Sequence, residues 1–454
     1  MPLSKDIIAR TLKTPEGEGA YAIVEKLMDA GFDTWWVGGC VRDMLMAKVP
    51  TDIDIATVAS PQQIMRHFPK GDDTGAALGS IHVPLGASIF HVTTFREDDV
   101  ASDGRHPEGV LFGTREKDAE RRDFTVNALY FQPISRELFD PFQVEKDLKE
   151  RLVRFIGDPA TRIKHDALRM LRAVRLRAMI EGQYHPETYR ALQEQAPLIE
   201  ILSGSRKLEE LEKMLLGAHP DRALEDLWEL KLLEHFLPEL AICKGIPQPA
   251  DYHHEGDVWE HILLCARSFK EEHGIDVRLA AIFHDCGKAE TFSIKERIRF
   301  DQHASVSGDL TKKALDRLQI TSKRREKIVW LIRHHMMMNA FEEMNDERKA
   351  HWYYHPWFPE LLQLFWLDIA GTKPSDFGFY EGILKDYHHF LDSHPRPPKS
   401  LLTGEEVMDI LGLKPGEEVG AILQLLYAEQ ISKRITTKKE AKLFVEGKGR
   451  GKKT

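Results

Sequence analysis

The stretch Val37-Gly38-Gly39-Cys40-Val41-Arg42-Asp43, followed closely by Thr51-Asp52-Ile53-Asp54-Ile55, constrains this chain more than any other. Trp35-Trp36-Val37 reads as the end of a strand, and Cys40 to Ala47 as the helix after it. Two glycines between them let the backbone pass close to a ligand and aim N–H groups at an anion. Asp52 and Asp54 alternate with Ile53 and Ile55, so a strand puts both carboxylates on one face. Two such carboxylates suit Mg²⁺ held jointly by protein and substrate phosphates, as two-metal phosphoryl or nucleotidyl transfer requires. A glycine turn followed by a surface strand with two solvated aspartates has the same local pattern, because glycine motifs are weak on their own. Arg42-Asp43 and Asp-x-Asp at this distance favour the ligand-binding reading.

The rest of the chain narrows the class. With 454 residues, 42% hydrophobic and 30% charged, it reads as a soluble globular protein of several domains. No apolar run approaches the roughly 20 residues that cross a membrane, and the opening Met-Pro-Leu-Ser-Lys-Asp lacks the layout of a signal peptide. Cys40, Cys243, Cys265 and Cys286 are scattered without a Cys-x-x-Cys pair, so a reducing cytoplasm is expected and a disulfide scaffold is not. The formal net charge of -9 argues against non-specific coating of nucleic acid, while leaving room for a local basic groove. Arg169, Arg172, Arg175 and Arg177 form one basic cluster, and Lys323-Arg324-Arg325 another.

Up to about residue 150 short β-branched runs alternate with helices: Ile81 to Val83, Phe90 to Phe95 and Leu152 to Ile156 read as strands. After Asp158-Pro159 the pattern turns helical, with an apolar face at Leu168, Leu171, Ala173, Leu176 and Ile180. Pro247 and Pro249 read as a linker, and Pro395, Pro397 and Pro398 as another before a short final module. The glycine- and lysine-rich tail from Gly447 to Lys453 is expected to be disordered.

The opening segment resembles the signature of the nucleotidyltransferases that include bacterial CCA-adding enzymes and poly(A) polymerases, of the class shared by bacteria and eukaryotes (class II). Further motifs extend the resemblance in the expected order across roughly residues 30 to 180. Asp103 to Pro107 resembles the flexible-loop motif, Arg121 to Ala128 the sugar- and phosphate-binding motif, and Asp166 to Arg175 the base-reading helix. The resemblance implies that Asp52 and Asp54 bind Mg²⁺ and are catalytic. It also implies nucleotide binding by Gly38, Gly39, Arg42, Asp43, Arg122, Asp123, Asn127, Asp166, Arg169, Arg172 and Arg175. ATP, CTP and the tRNA 3′ end are the expected partners, with no membrane contact; oligomeric state stays open.

Asp166 and Arg169 are three residues apart, which on a helix places them on one face. A carboxylate only accepts and a guanidinium only donates. Such a pair can read a Watson–Crick edge with an amino group beside a ring acceptor, which adenine and cytosine present and guanine and uracil do not; an i,i+3 surface salt bridge has the same spacing. Arg172 and Arg175 continue the helix toward triphosphate or tRNA, or simply hold nearby carboxylates. Three residues depart from the family pattern. His165 and Ser205 stand where glutamate is usual, and His91 where a carboxylate is common.

The second half carries His261, His284-Asp285, His303, His334-His335 and Asp368. Gly256 to His261 and Phe283 to Lys288 resemble HD phosphohydrolase sequences. The resemblance implies a divalent metal site (Mg, Mn, Ni or Co) with His261, His284, Asp285, His303, His334 and Asp368 as ligands, the choice between His334 and His335 being open.

The expected fold is α+β: an N-terminal mixed sheet with helices, then an elongated all-α body with an HD domain. The expected division is a nucleotidyltransferase head at 1-150, a helical base-reading and RNA-binding region at 151-245, an HD domain at 246-395 and a C-terminal helical module at 396-454. The leading function is CCA addition to tRNA with HD phosphohydrolase activity. The rivals are a poly(A) polymerase, a CC-only or A-only enzyme, or an HD phosphohydrolase with an RNA-binding N-terminal module.

Overall fold

The structure, a computed structural model, describes residues 3–97, 111–249, 254–294, 296–393, 399–431 and 434–450. The chain divides into two compact units, Met1–Pro238 and Glu239–Thr454.

The first unit is built on a six-stranded sheet. Helix α1 (Pro15–Asp29) starts at Thr14, whose hydroxyl caps Gly17 N–H, and buries Ala20, Ile23, Val24 and Leu27. Strand β1 (Thr34–Val37) leads into helix α2 (Gly39–Leu45), and β2 (Asp54–Thr57) follows. β3 (Ser80–Leu85) and β4 (Ser88–Thr94) form a hairpin, as do β5 (Tyr130–Gln132) and β6 (Glu137–Phe139). The order is β3-β4-β2-β1-β5-β6, mixed because β2 and β4 run parallel while the other pairs are antiparallel.

Alternation divides the side chains between two layers. Trp36, Ile55, Val92 and Phe131 pack with α1 and α2 on one face; Trp35, Val37, Ala56 and Tyr130 face the other. The expected strand at 152–156 is shorter than its β-branched run suggests: Leu152–Val153 pairs in parallel with Gln183–Tyr184, and Phe155 forms a single antiparallel bridge with Phe124. The chain changes partner between them, with Ile156 N–H donating to the Asp123 carbonyl and Phe155 N–H to Thr188 Oγ1.

Helices α3 (Arg115–Arg121), α4 (Pro159–His165), α5 (Leu168–Ile180) and α6 (Gly204–Leu215) flank or follow the sheet. The α5 face expected from periodicity is buried, including Leu171, Ala173, Leu176 and Ile180.

Among the described residues the second unit is helical apart from one hairpin. Its core joins α7 (Val258–Arg267), α8 (Ile275–Phe283), α9 (His303–Arg317), α10 (Ser322–His334) and α11 (Phe358–Gly371). β7 (Phe292–Ile294) and β8 (Ile298–Phe300) form the hairpin between α8 and α9. Residues around Pro247 are not a free linker. Pro247 bridges Asp257, Gln248 is buried, and the units separate instead at Pro238. Three helices at 404–411, 417–431 and 438–450 enclose a small separate core of Leu402, Val407, Leu426 and Val445. The last of them extends to Arg450, so the glycines at 447 and 449 do not end it as the disordered-tail expectation required; residues 451–454 lie outside the described residues.

Candidate active site and metal centre

Val37 lies opposite Asp54 in the β1–β2 register, which sets the aspartates beside the glycine turn that follows Val37. Gly38 has φ 78° and ψ −128°, a conformation that L side chains rarely adopt. A Cβ there would sit 3.1 Å from Arg122 Nη1. Arg42, buried on α2, donates from Nε and Nη2 to Asp43 Oδ1 at 2.9 and 2.7 Å and from Nη1 to Asn127 Oδ1 at 2.6 Å. Arg42, Asp43 and Asn127 therefore form one network beneath the turn. Asp43 and Asn127 are spent on holding the guanidinium in place.

Asp52 precedes β2 and Asp54 begins it; both are exposed, while Ile53 and Ile55 are buried, so the expected alternation holds from just before the strand. Crowding by the surrounding protein, then the charge of Asp52, raise the Asp54 carboxyl above its usual range, against Arg122, His91 and Arg172. A pair of oxygen donors under mutual repulsion at a solvent-open rim fits a hard cation such as Mg²⁺. His91 Nδ1 lies 4.0 Å from Asp54 Oδ1, in the place where a further carboxylate is common.

Arg122 is fixed by Asp118 at 3.1 Å and Tyr130 Oη at 2.9 Å. Asp118 is fully buried and also binds Arg121 at 2.5 Å. Burial alone would raise its carboxyl, but the Arg122 and Arg121 guanidinium groups hold it below its usual value. Asp118 and Tyr130 went unrecognised in the sequence, although Asp118 lies three and four residues before the two arginines on or beside α3. Asp123 is buried and committed to Arg172, 2.6 Å from Nε and 2.5 Å from Nη2. Arg175 likewise binds buried Glu210 at 2.8 Å. Both arginines hold carboxylates, one of the alternatives open at the sequence level.

The expected helical face shared by Asp166 and Arg169 is absent. Asp166 is extended (φ −151°, ψ 105°), and α5 begins only at Leu168. Its carboxylate accepts from Leu168 N–H at 3.1 Å and from Arg206 Nη2 at 3.2 and 3.0 Å. Arg169 donates to the Arg162 carbonyl at 2.9 Å. The aspartate is pulled out of helical geometry because it caps the turn into α5, the role short carboxylates favour at helix starts. Arg206, on α6, is the partner that local spacing could not name. The flexible-loop motif at 103–107 lies outside the described residues.

In the second unit His261, on α7, meets His284 and Asp285 after α8, and Asp368 on α11. His261, His284 and Asp368 form one group of converging ligand atoms, and Asp285, His303 and His335 a second. Asp285 links them. Its Oδ2 lies 3.5 Å from His284 Nε2 and 3.7 Å from His261 Nε2, and its Oδ1 3.4 Å from His303 Nε2 and 3.8 Å from His335 Nε2.

His335, not His334, joins the cluster. Adjacent helical residues point about 100° apart, so only one of the pair can face inward. His334 instead donates to the Trp330 carbonyl at 2.7 Å and lies against the Trp330 ring, centroids 4.5 Å apart.

The Nδ1–H groups of His284, His303 and His335 donate to the carbonyls of Ala281, Phe300 and Ile332, which turns each Nε2 lone pair inward. Burial, then His284, push His335 down to about 4, so it is a neutral ligand at neutral pH. Burial opposes ionisation of Asp285, but Lys288 and His284 hold it well below the carboxylate range. Asp285 Oδ1 is buried with no hydrogen-bond donor among the described residues. Burial opposes a charge on His261, but Cys265, Asp368 and Glu255 raise it well above the usual imidazole range, so the cluster calls for positive charge. With its inward-turned imidazoles, its carboxylates and that orphaned oxygen it fits a divalent cation. The cluster opens on a cleft of 680 Å³, also lined by Lys288, Arg297, Phe300 and Phe365.

Comparison with known proteins agrees with both halves. The profile of the poly A polymerase head domain matches residues 34–154, that of the probable RNA and SrmB-binding site of polymerase A residues 183–243, and that of the HD domain residues 252–354. The chain is 32% identical to the CC-adding tRNA nucleotidyltransferase of Thermus thermophilus over 91% of its own length and 93% of that protein. It is 41% identical to the CCA-adding enzyme of Pediococcus pentosaceus over 48% of this chain; that match spans only 56% of the relative. The fold matches the CCA-adding enzyme of Bacillus stearothermophilus solved with CTP, with TM-score 0.67 and 24% identity over 96% of this chain and 98% of that one. With a paired aspartate rim beside a glycine turn, and a full-length relative of this kind, the chain belongs to the tRNA nucleotidyltransferase and poly(A) polymerase family and carries an HD domain.

Proposed function

We propose that this protein adds CMP and AMP to the 3′ end of tRNA without a nucleic-acid template, completing or repairing the CCA terminus. The observation that carries the reading is the β1–β2 register, which sets Asp54 beside the Gly38 turn and its buried arginine. Gly38 and Gly39 N–H groups, with Arg42 and Arg122 behind them, hold the triphosphate. Asp52 and Asp54 hold Mg²⁺, which when bound activates the 3′-hydroxyl and stabilises the departing pyrophosphate. Asp123 and Asn127 shape the ribose side of the pocket through Arg172 and Arg42. Asp166 accepts from the exocyclic amino group of adenine or cytosine while Arg169 donates to the ring nitrogen, and Arg206 keeps Asp166 in place. The four-part division of the chain at residues 150, 245 and 395 belongs to the same proposal. So does a cytoplasmic location, which four buried free cysteines support. Among the described residues no helix is long and apolar enough to cross a membrane.

A second reading, CC addition alone, is favoured by one observation: the Thermus relative matched over nearly its whole length is a CC-adding enzyme. Incubation with tRNA ending at its discriminator base, plus CTP and ATP, decides between them. Three added nucleotides support CCA addition, two the restricted enzyme, and long adenylate tails a poly(A) polymerase.

For the second unit we propose metal-dependent hydrolysis of phosphoesters, with 2′,3′-cyclic phosphates and nucleotide 2′-phosphates as the substrates to test. One divalent ion per ligand group, with Asp285 shared, suits the two clusters. Such ions supply Lewis acidity for attack of water on phosphorus. The cleft has room for a nucleotide, and Lys288 and Arg297 on its wall favour an anionic substrate.

A further inference from the structure

Behind the metal ligands runs a buried chain of polar side chains, of which only Lys288 reaches the cleft wall. Glu255, its side chain fully buried, places Oε1 3.6 Å from His261 Nδ1. The same oxygen accepts from Gln248 Nε2 at 3.4 Å, and Oε2 accepts from Lys373 N–H at 2.8 Å. At the other end of its amide, Gln248 Oε1 accepts from Lys288 Nζ at 2.7 Å. Lys288 Nζ in turn lies 2.6 Å from Asp285 Oδ2. Gln248 and Lys288 are both buried, 5% and 7% exposed.

We propose that Gln248 is a positioning residue of the metal centre, tying His261 to Asp285 through Glu255 and Lys288. The proposal rests on the cluster being a metal site. A side-chain amide is the group that suits the place, because one end must donate to a carboxylate and the other accept from an ammonium. The partners also fix which way the amide points, since the reverse would set NH₂ against the ammonium. Three of the ligand histidines are oriented by backbone carbonyls within their own local segments. His261 faces a carboxylate instead, and that carboxylate is held from the segment before α7. Its ring thus faces a charge set by the segment before α7 rather than a carbonyl of its own helix. Lys288, shared between Gln248 and Asp285, fixes the position of the carboxylate common to both ligand groups. Outer partners of this sort change metal affinity about 10–100-fold when removed.

The experiment is Mn²⁺ titration of the full chain carrying Asp52→Ala and Asp54→Ala, so that the first unit's carboxylates do not contribute, by calorimetry and by the electron paramagnetic resonance spectrum of the bound ion. Gln248→Leu removes the side-chain hydrogen bonds to Glu255, to Lys288 and to the Asp257 carbonyl, and is expected to weaken binding at least about tenfold and to broaden the spectrum. Gln248→Asn keeps the amide but is one methylene too short to span both partners, and is expected to weaken binding as well, which keeps the test open if the leucine variant fails to fold. Glu255→Gln combined with Gln248→Leu should cost less than the sum of the two, since both act through His261. With Asp52 and Asp54 intact, the Gln248 substitutions should leave nucleotide incorporation by the first unit unchanged, and the circular dichroism spectrum and melt report that the second unit is folded. Wild-type affinity and spectrum in a folded Gln248 variant would overturn the positioning role alone. No binding of Mn²⁺, Ni²⁺ or Co²⁺ by the Asp52→Ala, Asp54→Ala chain with Gln248 intact would overturn the metal reading and this proposal together.

Discussion

The Nε2 atoms of His261 and His284 stand 3.2 Å apart, on α7 and just beyond α8 respectively. His284 has its Nδ1–H committed to the Ala281 carbonyl, so its Nε2 carries a lone pair directed at the other ring and at Asp368 Oδ1, 3.4 Å away. Between these two nitrogens and Asp368 a proton on His261 or a bound cation balances the converging lone pairs, and the metal reading is the one under test. The first prediction follows: His284→Ala with Asp285→Ala removes metal-stimulated phosphoester hydrolysis, while CTP and ATP incorporation stays near wild type. Hydrolysis assays with Mg²⁺, Mn²⁺, Ni²⁺ and Co²⁺ check it. Equal rates for the double variant and wild type with every metal would remove the hydrolase from the proposal.

Asp52→Ala and Asp54→Ala are each expected to lower nucleotide incorporation by about a thousandfold or more, because several kcal/mol of transition-state stabilisation depend on the ion they hold. Both side chains are exposed, so the thermal midpoint should move little. Primer-extension rates together with circular dichroism melts test both halves of the statement.

Gly38→Ala puts a Cβ 3.1 Å from Arg122 Nη1 and forces an L residue to φ 78°. The backbone strain costs about 1–3 kcal/mol. Relief by rotation of the turn would swing N–H groups away from the triphosphate, so KM for CTP and ATP should rise more than stability falls. Unchanged KM would show that the turn does not contact the nucleotide.

Asp166 and Arg206 form a partly exposed pair, and such pairs contribute under about 1 kcal/mol to stability. Their effect belongs in fidelity. Asp166→Ala should raise misincorporation of UTP and GTP relative to CTP and ATP. Arg206→Ala should reproduce part of that loss by freeing the carboxylate. Competition assays with all four nucleotides read it directly, and an unaltered error rate would reduce the pair to a surface salt bridge.

Asp118 gives a pH dependence with a definite sign. Its native carboxyl is held below the ordinary 3.8 by Arg122 and Arg121. Its stabilisation is therefore fully present above about 3.8 and is lost as pH falls through the lower native value. Asp118→Asn should cost about 3 kcal/mol at neutral pH, as breaking a buried pair does, and the gap to wild type should narrow as pH falls below 3.8. Denaturant midpoints at pH 7 and in acid measure the difference.

What the sequence determined by itself is whatever depends on short-range periodicity. Alternation around Ile53 and Ile55 exposes Asp52 and Asp54 because successive residues of extended backbone face opposite sides. Gly38-Gly39 marks a turn because only glycine tolerates that φ. The α5 face was legible in its 3.6-residue spacing, and the paired His284-Asp285 in its local context. What only the tertiary structure decided is which distant groups meet. Arg206 rather than Arg169 holds Asp166, because Asp166 leaves the helix to cap it and α6 brings an arginine from forty positions away. His335 rather than His334 faces the metal cluster, because the pitch of α10 and the stacking of Trp330 fix the rotation, which the sequence left undecided. Gln248 looked like part of a linker between two prolines, and its role depends on Glu255 and Lys288 arriving on either side of its amide. Spacing along a chain reports one element at a time; a hydrogen bond between elements depends on how their faces pack, and no window of the sequence contains both partners.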